Sequence, residues 1–283
     1  MEIKKVGVVG CGTMGGGIAQ VCAQSGYQVT VSEINEALLN KGLAAINANL
    51  SRNVEKGRQT QQEKEATLSR IKGTTKMTDF ADCNLVIEAA PELMEVKKKL
   101  FAELDKICPK ETILASNSSG LSIIDIAMAT KRPEKVLGMH FFNPVPVMKL
   151  LEIVKSIATG EETFRTAQEF GKAVGKTVVV SQDAPGYIVN RLIIPFLLNA
   201  IRMYESGFAT KEDIDTGVNL GLNHPMGPLT LSDFVGLDTL HFAAAAMYDE
   251  FKDPQYASPM LLKKMVAAGW LGRKTGKGFY EYK

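Results

Sequence analysis

The chain has 283 residues, a length that fits one large domain or two modest ones. A hydrophobic content of 45% excludes a largely disordered chain. Charged residues interrupt every apolar run before it reaches the roughly 18 residues of a membrane helix. The net charge of +2 calls for neither nucleic acid nor an acidic membrane as a partner. The four cysteines lack metal-ligand spacing and the N-terminus does not resemble a signal peptide, so we expect a reduced, cytoplasmic protein.

The first 180 residues alternate strand-like and helix-like segments. The predicted strands are the short apolar or β-branched runs at 3–9, 28–31, 85–88, 112–115, 136–142 and 177–180, and the predicted helices between them span 14–25, 35–56, 96–107 and 123–128. A polar continuation from the second helix to about residue 71 predicts an exposed helical hairpin. Such alternation is typical of βαβ units, and it predicts a Rossmann-type doubly wound α/β sheet with helices on both faces.

After about residue 183 the pattern becomes helical. Pro185-Gly186 is expected to open a helix that runs to about Glu205, and further helices are predicted at 211–220, 237–251 and 259–268. The first of these is apolar nearly all round, so we expect it to be buried in a core or against another subunit. We therefore predict a Rossmann-type domain with a helical arm over 1–183, an all-α domain over 184–283 and a homodimer formed through the second domain.

A GxGxxG motif joins the first predicted strand to the first predicted helix. Its first glycine permits a tight turn, its second lets the backbone approach a pyrophosphate, and its third allows close helix packing. Glu33 follows the second strand and can bind the hydroxyls of an adenosine ribose while repelling a 2′-phosphate, which favours NAD over NADP as cofactor. The alternative is a tight turn beside a solvated acid. The predicted cofactor contacts here are Gly10, Gly12, Thr13, Met14, Gly15 and Glu33, and Cys11 is interpreted as a small packing residue.

One of the three histidines, His140, ends a predicted strand at the sheet edge where ligands bind. If this strand folds back on the apolar run 150–154, His140 and Glu152 lie opposite each other on one face of the hairpin. A carboxylate fixes the tautomer of an imidazole and raises its basicity, which suits a proton-transfer base, whereas a purely structural pair is the alternative. His224 and His241 are interpreted as structural, and no pair of histidines has the spacing of metal ligands, so we expect no metal.

Six blocks of sequence, taken in order, carry a family resemblance. They are the glycine motif with Glu33, Val86-Ile87-Glu88-Ala89, Ser116-Asn117-Ser118-Ser119, the run 138–144, the run 183–191 and the run 272–280. Together they resemble the short, monofunctional 3-hydroxyacyl-CoA dehydrogenases, particularly the bacterial 3-hydroxybutyryl-CoA dehydrogenases, over essentially the whole chain. The resemblance implies an NAD-dependent enzyme that interconverts (S)-3-hydroxybutyryl-CoA and acetoacetyl-CoA.

The resemblance also implies roles for individual residues. His140 is expected to be the general base that accepts the 3-hydroxyl proton as hydride leaves C3, Glu152 to orient it, and Ser119 and Asn190 to hold the substrate oxygens. The remaining cofactor contacts that it implies are Glu92, Lys97, Asn143 and Lys274. Without the resemblance, Ser119 is an ordinary loop serine and Lys97 belongs to a solvated lysine cluster.

Coenzyme A requires cations for its 3′-phosphate and diphosphate. The long helix after the second strand offers Arg52 and Lys56 on one face, with Asn49 one turn earlier. Such a stripe alone is usually a solvated helix face, but the resemblance implies that the CoA moiety lies along this arm, so we expect these three residues to bind it. Asn223, in a proline- and glycine-rich loop, is a further expected substrate contact.

Two other functions are considered. A related β-hydroxyacid dehydrogenase acting on free acids carries a lysine in place of the His–Glu pair. A non-catalytic relative, such as a lens crystallin, keeps the fold and is told apart by an incomplete catalytic set. Ser119, His140, Glu152 and Asn190 are all present, which favours the enzyme that acts on a CoA thioester.

Overall fold

The computed structural model describes residues 2–282, so the outermost residues of the two predicted domains, 1 and 283, lie outside the described range. The chain divides into two compact units between Ala184 and Pro185. The first unit combines strands and helices, and the second is helical. This architecture confirms the predicted fold class.

One eight-stranded sheet organises the described part of the first unit. Its strands are β1 (Lys5–Val9), β2 (Gln28–Ser32), β3 (Ile71–Thr74), β4 (Leu85–Glu88), β5 (Ile113–Ser116), β6 (Val136–Phe141), β7 (Leu150–Lys155) and β8 (Thr177–Gln182). They lie in the order β3-β2-β1-β4-β5-β6-β7-β8. Because the chain goes from β1 to β2 on one side and later continues at β4 on the other, the carboxyl ends of β1 and β4 flank the switch point at which doubly wound sheets bind ligands.

Helices cover this sheet. They are α1 (Thr13–Gln24), α2 (Glu36–Glu55), α3 (Gln61–Ser69), α4 (Met94–Ile107), α5 (Ile123–Ala127) and α6 (Glu161–Ala173). Both helices of the arm, α2 and α3, are capped at their N-termini. Asn35 accepts a hydrogen bond from the Leu38 N–H, and Thr60 forms a reciprocal capping box with Glu63. The predicted helical hairpin is therefore confirmed. Strand β3 and helix α6 were not predicted.

The β6–β7 pair is antiparallel, whereas the other neighbouring strands pair in parallel. The predicted fold-back is confirmed, since His140 lies directly opposite Glu152 in the ladder. Lys176 stabilises the turn between the strands, because its ammonium donates to the carbonyl oxygens of Val145 at 2.6 Å and Met148 at 2.7 Å. Strand β6 ends at Phe141, one residue earlier than expected.

The second unit contains α7 (Val189–Glu205), α8 (Lys211–Gly221), α9 (Pro228–Val235), α10 (Leu237–Phe251) and α11 (Met260–Ala267). The prediction that α7 opens at Pro185-Gly186 is wrong, because Gly186 and Tyr187 have φ values of +79° and +46°, which no right-handed helix contains. One side of α7 packs into a core with α9 and α10, but its Leu192 is 71% exposed in the single chain. Burial of this helix by its own chain is therefore incomplete.

Two further features concern the environment of the protein. Among residues 2–282, no helix combines the length and apolarity needed to cross a membrane. Cys11, Cys22, Cys83 and Cys108 are buried and free, and burial raises the thiol pKa to about 12 for Cys22 and Cys83. Such thiols stay protonated and unreactive at neutral pH.

Candidate active site

The glycine motif has the backbone conformation that its sequence predicts. Gly10 has a φ of +94°, in the left-handed region that favours glycine. A Cβ on Gly15 would collide with the Gly10 carbonyl oxygen, so α1 begins too close to the turn for any side chain there. A Cβ on Gly12 would meet no atom within 4 Å. The loop thus leaves open space before the N-terminus of α1, which is the arrangement that accepts a pyrophosphate.

Glu33, directly after β2, is held by two backbone donors. The N–H of Cys11 donates to one carboxylate oxygen and the N–H of Ile34 to the other, each at 3.0 Å. The carboxylate borders a pocket of about 660 Å³ at the ends of β1, β2 and β4, whose lining includes Met14, Thr75 and Ala90. A fixed carboxylate beside the glycine motif fits the ribose hydroxyls of a dinucleotide.

Cys11 packs between the glycine motif and α2. A Cβ on Gly42 of α2 would collide with the carbonyl oxygen and the Sγ of Cys11, so this contact sets how closely the helix approaches the loop. Burial, with a smaller contribution from the Glu33 charge, raises the thiol pKa of Cys11 to about 11. A protonated, enclosed thiol agrees with the interpretation of Cys11 as a packing residue.

A second pocket, of about 420 Å³, adjoins the first and shares Gly12 and Thr13 with it. One wall is α2, which contributes Lys41, Ala45 and Asn49, and another is the turn between β6 and β7, which contributes the run 143–146. The predicted contacts Asn49 and Asn143 therefore line one cavity together with Gly12, Thr13 and Glu33. The two pockets therefore meet at the glycine motif.

His140 and Glu152 form a buried pair. His140 Nδ1 lies 2.7 Å from Glu152 Oε2, and the two residues are 6% and 0% exposed. Because a buried carboxylate faces Nδ1, we assign the hydrogen to that nitrogen, which makes Nε2 the acceptor nitrogen of the neutral ring. The ring also lies against Phe142, with centroids 4.5 Å apart. These contacts fix both the tautomer and the orientation of the imidazole.

Asn117 ties the ends of three strands together. Its Oδ1 accepts from the N–H of Phe141 at 2.8 Å, and its own N–H donates to the carbonyl oxygen of Glu88. The residue after His140 is thereby fixed to the loops that follow β4 and β5. The sequence placed Asn117 in a family block without assigning it a role, and only the tertiary contact reveals one.

Glu92 and Ser119, predicted as a cofactor contact and a substrate contact, are bonded to each other. Glu92 Oε1 accepts from the N–H of Ser119 at 2.8 Å and from the Ser118 hydroxyl at 2.6 Å. The Ser119 hydroxyl lies 3.3 Å from the same oxygen. The loops after β4 and β5 are therefore joined through one carboxylate.

Lys97 does not belong to a solvated cluster. Its side chain is 1% exposed and its ammonium lies 2.6 Å from Glu88 Oε1 and 3.2 Å from Glu92 Oε2. Glu88 was not predicted as a site residue, although its sequence carries one signal. The charge of an acid that ends the apolar strand Leu85–Glu88 needs a hydrogen-bonding or cationic partner in the core.

Arg52 and Lys56 are exposed on the arm, and Asn49 is half-buried. At 100° per residue, these three side chains continue the helix face on which Lys41 and Ala45 line the second pocket. Among residues 2–282, neither Arg52 nor Lys56 has an ion-pair partner. The positive stripe is thus available to an anionic ligand.

The remaining predicted contacts lie in the helical unit. Asn190 is half-buried in the first turn of α7, and Asn223 is exposed in the turn after α8 with a φ of +55°. Lys274 donates to Asp238 Oδ2 at 2.6 Å. All three residues therefore lie in the helical unit, and Lys274 is held there by an ion pair.

The other two histidines have structural partners. The ring of His224 lies 5.7 Å from that of Phe196, and His241 Nδ1 lies 2.8 Å from the Ser258 hydroxyl. Over the described range, no group of three or more His, Cys, Asp or Glu residues could hold a metal ion.

Comparisons with known proteins place this geometry in a family. Residues 5–184 match the model for the NAD binding domain of 3-hydroxyacyl-CoA dehydrogenase, and residues 186–282 match the model for its C-terminal domain. A 3-hydroxybutyryl-CoA dehydrogenase of Mycobacterium tuberculosis is 50% identical over 282 residues, with 99% of each chain covered. The human mitochondrial hydroxyacyl-coenzyme A dehydrogenase is 45% identical, with 99% of this chain and 92% of the human protein covered.

Solved structures give the same result. The crystal structure of FadB2 from M. tuberculosis has a TM-score of 0.98 at 49% identity, and that of the (S)-3-hydroxybutyryl-CoA dehydrogenase PaaH1 from Ralstonia eutropha has 0.97 at 43% identity, each with 100% of both chains covered. These matches over both units show that the chain belongs to the 3-hydroxyacyl-CoA dehydrogenase family and is an NAD-dependent oxidoreductase.

Proposed function

We propose that this protein is an (S)-3-hydroxybutyryl-CoA dehydrogenase that interconverts 3-hydroxybutyryl-CoA and acetoacetyl-CoA with NAD. The observation that carries the proposal is the buried His140–Glu152 pair at the carboxyl edge of the sheet. The names of the relatives, which are 3-hydroxybutyryl-CoA dehydrogenases at 44–50% identity, support the four-carbon substrate.

In the proposed mechanism His140 moves the proton. NAD, held at the glycine motif, supplies the hydride acceptor for C3 in oxidation and NADH the donor in reduction. As the hydride leaves C3, Nε2 of His140 accepts the proton of the 3-hydroxyl, and in the reverse direction the imidazolium returns it to the developing alkoxide. Glu152 stabilises the imidazolium because its carboxylate lies 2.7 Å from Nδ1 and away from water.

The other roles follow from the family resemblance and from local contacts. Ser119 and Asn190 hold and polarise the substrate oxygens. The proposed cofactor contacts are the residues of the glycine motif with Glu33, Glu92, Lys97, Asn143 and Lys274. Asn49, Arg52 and Lys56 bind the CoA moiety along the arm, and Asn223 is a further substrate contact. The first unit thus acts as the NAD-binding domain and the second as the domain for substrate binding and dimerisation.

The buried free thiols support the further proposal that the protein works in a reducing, cytoplasmic environment.

The function is tested by following NADH absorbance with acetoacetyl-CoA and then with longer 3-ketoacyl-CoA thioesters and free acetoacetate. We expect the highest kcat/KM with acetoacetyl-CoA and little turnover of the free acid, which lacks the moiety that the arm binds. No oxidation of NADH with any of the thioesters would contradict the proposal.

We expect NADH to be preferred over NADPH by on the order of 10²-fold in kcat/KM, because the fixed Glu33 carboxylate repels a 2′-phosphate. No Arg lies among the next four residues, 34–37, to compensate. The two cofactors are compared at saturating acetoacetyl-CoA. Equal efficiencies would mean that Glu33 does not meet the ribose.

His140→Gln should lower kcat by on the order of 10²–10⁴-fold while NADH binding, measured by fluorescence titration, is preserved. Glu152→Gln should also lower kcat, because the imidazolium loses its counter-charge. The double variant should be scarcely worse than His140→Gln alone, since the two residues act as one unit. If the double variant shows the product of the two single losses, Glu152 acts independently and the assignment is wrong.

Replacing Arg52 and Lys56 together by Ala should raise KM for acetoacetyl-CoA with little change in kcat, because contacts to the distant nucleotide end stabilise ground and transition states alike. The effect should shrink as salt rises, since exposed charges are screened. Lys110→Ala combined with Lys149→Ala, at two other exposed lysines of this unit, is the control that removes the same amount of charge. An unchanged KM at low salt would leave the stripe a solvated helix face.

We expect a homodimer formed through the helical unit. Leu192 on α7, Phe208 and Phe242 are 71%, 76% and 66% exposed in the single chain, and a second copy packed on this unit would remove that apolar surface from water. Light scattering at micromolar concentration should return twice the mass of the chain. A Leu192→Glu variant should shift that mass towards the monomer, and a monomeric wild-type protein would contradict the proposal.

A further inference from the structure

Glu88 is a fully buried carboxylate at the switch point of the sheet. It ends β4, opposite Val9 of β1 on one side and Ser116 of β5 on the other, and it is 0% exposed. A buried parallel strand is normally apolar throughout, since moving a charged group out of water is unfavourable unless the charge is paired. The position therefore calls for an explanation beyond packing.

Three donors compensate this carboxylate. Oε1 accepts from the Lys97 ammonium and from the N–H of Ala90, each at 2.6 Å, and Oε2 accepts from the Ser116 hydroxyl at 2.7 Å. The donors come from the helix α4, from the loop after β4 and from the end of β5. Glu88 is thus the common acceptor of three separate segments.

The arrangement continues outwards through Lys97. The ammonium lies 3.2 Å from Glu92 Oε2, so it is placed between a buried carboxylate and a half-exposed one. Glu92 in turn accepts from the N–H of Ser119 and from the Ser118 hydroxyl through its other oxygen. The order from core to surface is Glu88, Lys97, Glu92 and the Ser119 loop, with charges of alternating sign.

We propose that Glu88 is a positioning residue of the dehydrogenase reaction, which acts through Lys97 and Glu92 to hold the Ser119 loop in place. This inference rests on the proposed function, in which Ser119 holds the substrate oxygens. The side chain of Glu92 is 42% exposed to solvent, and without a fixed partner such a carboxylate is free to reorient. Anchoring its partner Lys97 to a buried carboxylate removes that freedom, and small displacements of a substrate-positioning group lower rates by up to about 10²-fold.

The principal test compares Glu88→Gln with Asp105→Asn. Asp105 belongs to another buried ion pair of this unit, at 2.7 Å from Arg132, and its side chain accepts from Lys131 and Arg132, neither of which is a proposed site residue. Both changes should lower the melting temperature, because each leaves a cation with fewer partners. With folded protein at saturating NADH, Glu88→Gln should lower kcat for acetoacetyl-CoA about 10- to 100-fold, whereas Asp105→Asn should leave it within about twofold of wild type.

A double-variant cycle with Ser119→Ala tests the route. If Glu88 acts through Ser119, adding Glu88→Gln to the Ser119→Ala variant should lower kcat by less than about twofold. The same factor in both backgrounds, or a kcat of Glu88→Gln equal to that of wild type, would overturn the proposal. If Glu88→Gln does not fold, the milder Glu88→Asp keeps the charge but withdraws the carboxylate from Lys97. It should show a smaller loss of kcat that also vanishes in the Ser119→Ala background, and an unchanged kcat would again overturn the proposal.

Hydrogen–deuterium exchange provides a readout without substrate. The amide of Ser119 donates to Glu92, so the segment 117–121 should exchange about tenfold faster in Glu88→Gln and at the wild-type rate in Asp105→Asn. Unchanged exchange in Glu88→Gln would overturn the inference. If the wild-type protein fails to reduce acetoacetyl-CoA, the proposed function is wrong, whereas this measurement still decides whether Glu88 holds the Ser119 loop.

Discussion

The antiparallel return of β7 along β6 is the constraint on which the candidate site depends. A strand ladder fixes cross-strand neighbours to within one residue, and a slip of one would turn His140 and Glu152 to opposite faces of the sheet. A parallel neighbour would need a long crossover and could not return a carboxylate to the histidine within twelve residues. The turn is correspondingly well held, by the Lys176 ammonium and by Val145, which packs so closely on Gly17 of α1 that a Cβ there would lie 2.9 Å away.

Three carboxylates lie near the carboxyl edge of a sheet whose interior is otherwise apolar. Glu33, Glu88 and Glu152 each follow or occupy a strand, yet each is compensated differently. Glu33 accepts from backbone N–H groups, Glu88 from an ammonium, and Glu152 from an imidazole. In the proposed reaction the imidazole carries the proton, whereas the contacts of Glu33 and Glu88 suit recognition and positioning.

The accuracy of the sequence predictions followed the strength of each local pattern. Strands such as Leu85–Glu88 were found because a short apolar run has few alternatives, and the hairpin because two such runs flank a proline-rich turn. Strand β3, with the sequence Ile-Lys-Gly-Thr, carries no clear hydrophobic signal, whereas α6 is the exception: it was missed although Phe164, Ala167 and Phe170 recur at helical spacing and pack on the core. The false start of α7 arose because the positive φ of Tyr187 has no signature in its residue type.

The candidate site divides in the same way. Residues with a proposed role in their own chemistry could be identified from sequence, since a glycine motif, a strand-end histidine and an opposing acid each imply a function. Residues that act on other residues could not, because Asn117 and Glu88 acquire their roles from partners 24 and 9 positions away. Lys97 shows the difference most clearly. In sequence it is one of three consecutive lysines. In the fold its ammonium lies between two carboxylates, whereas Lys98 is half-buried and Lys99 is exposed on the same helix. The helical period of α4, rather than the residue type, decides which lysine joins the site.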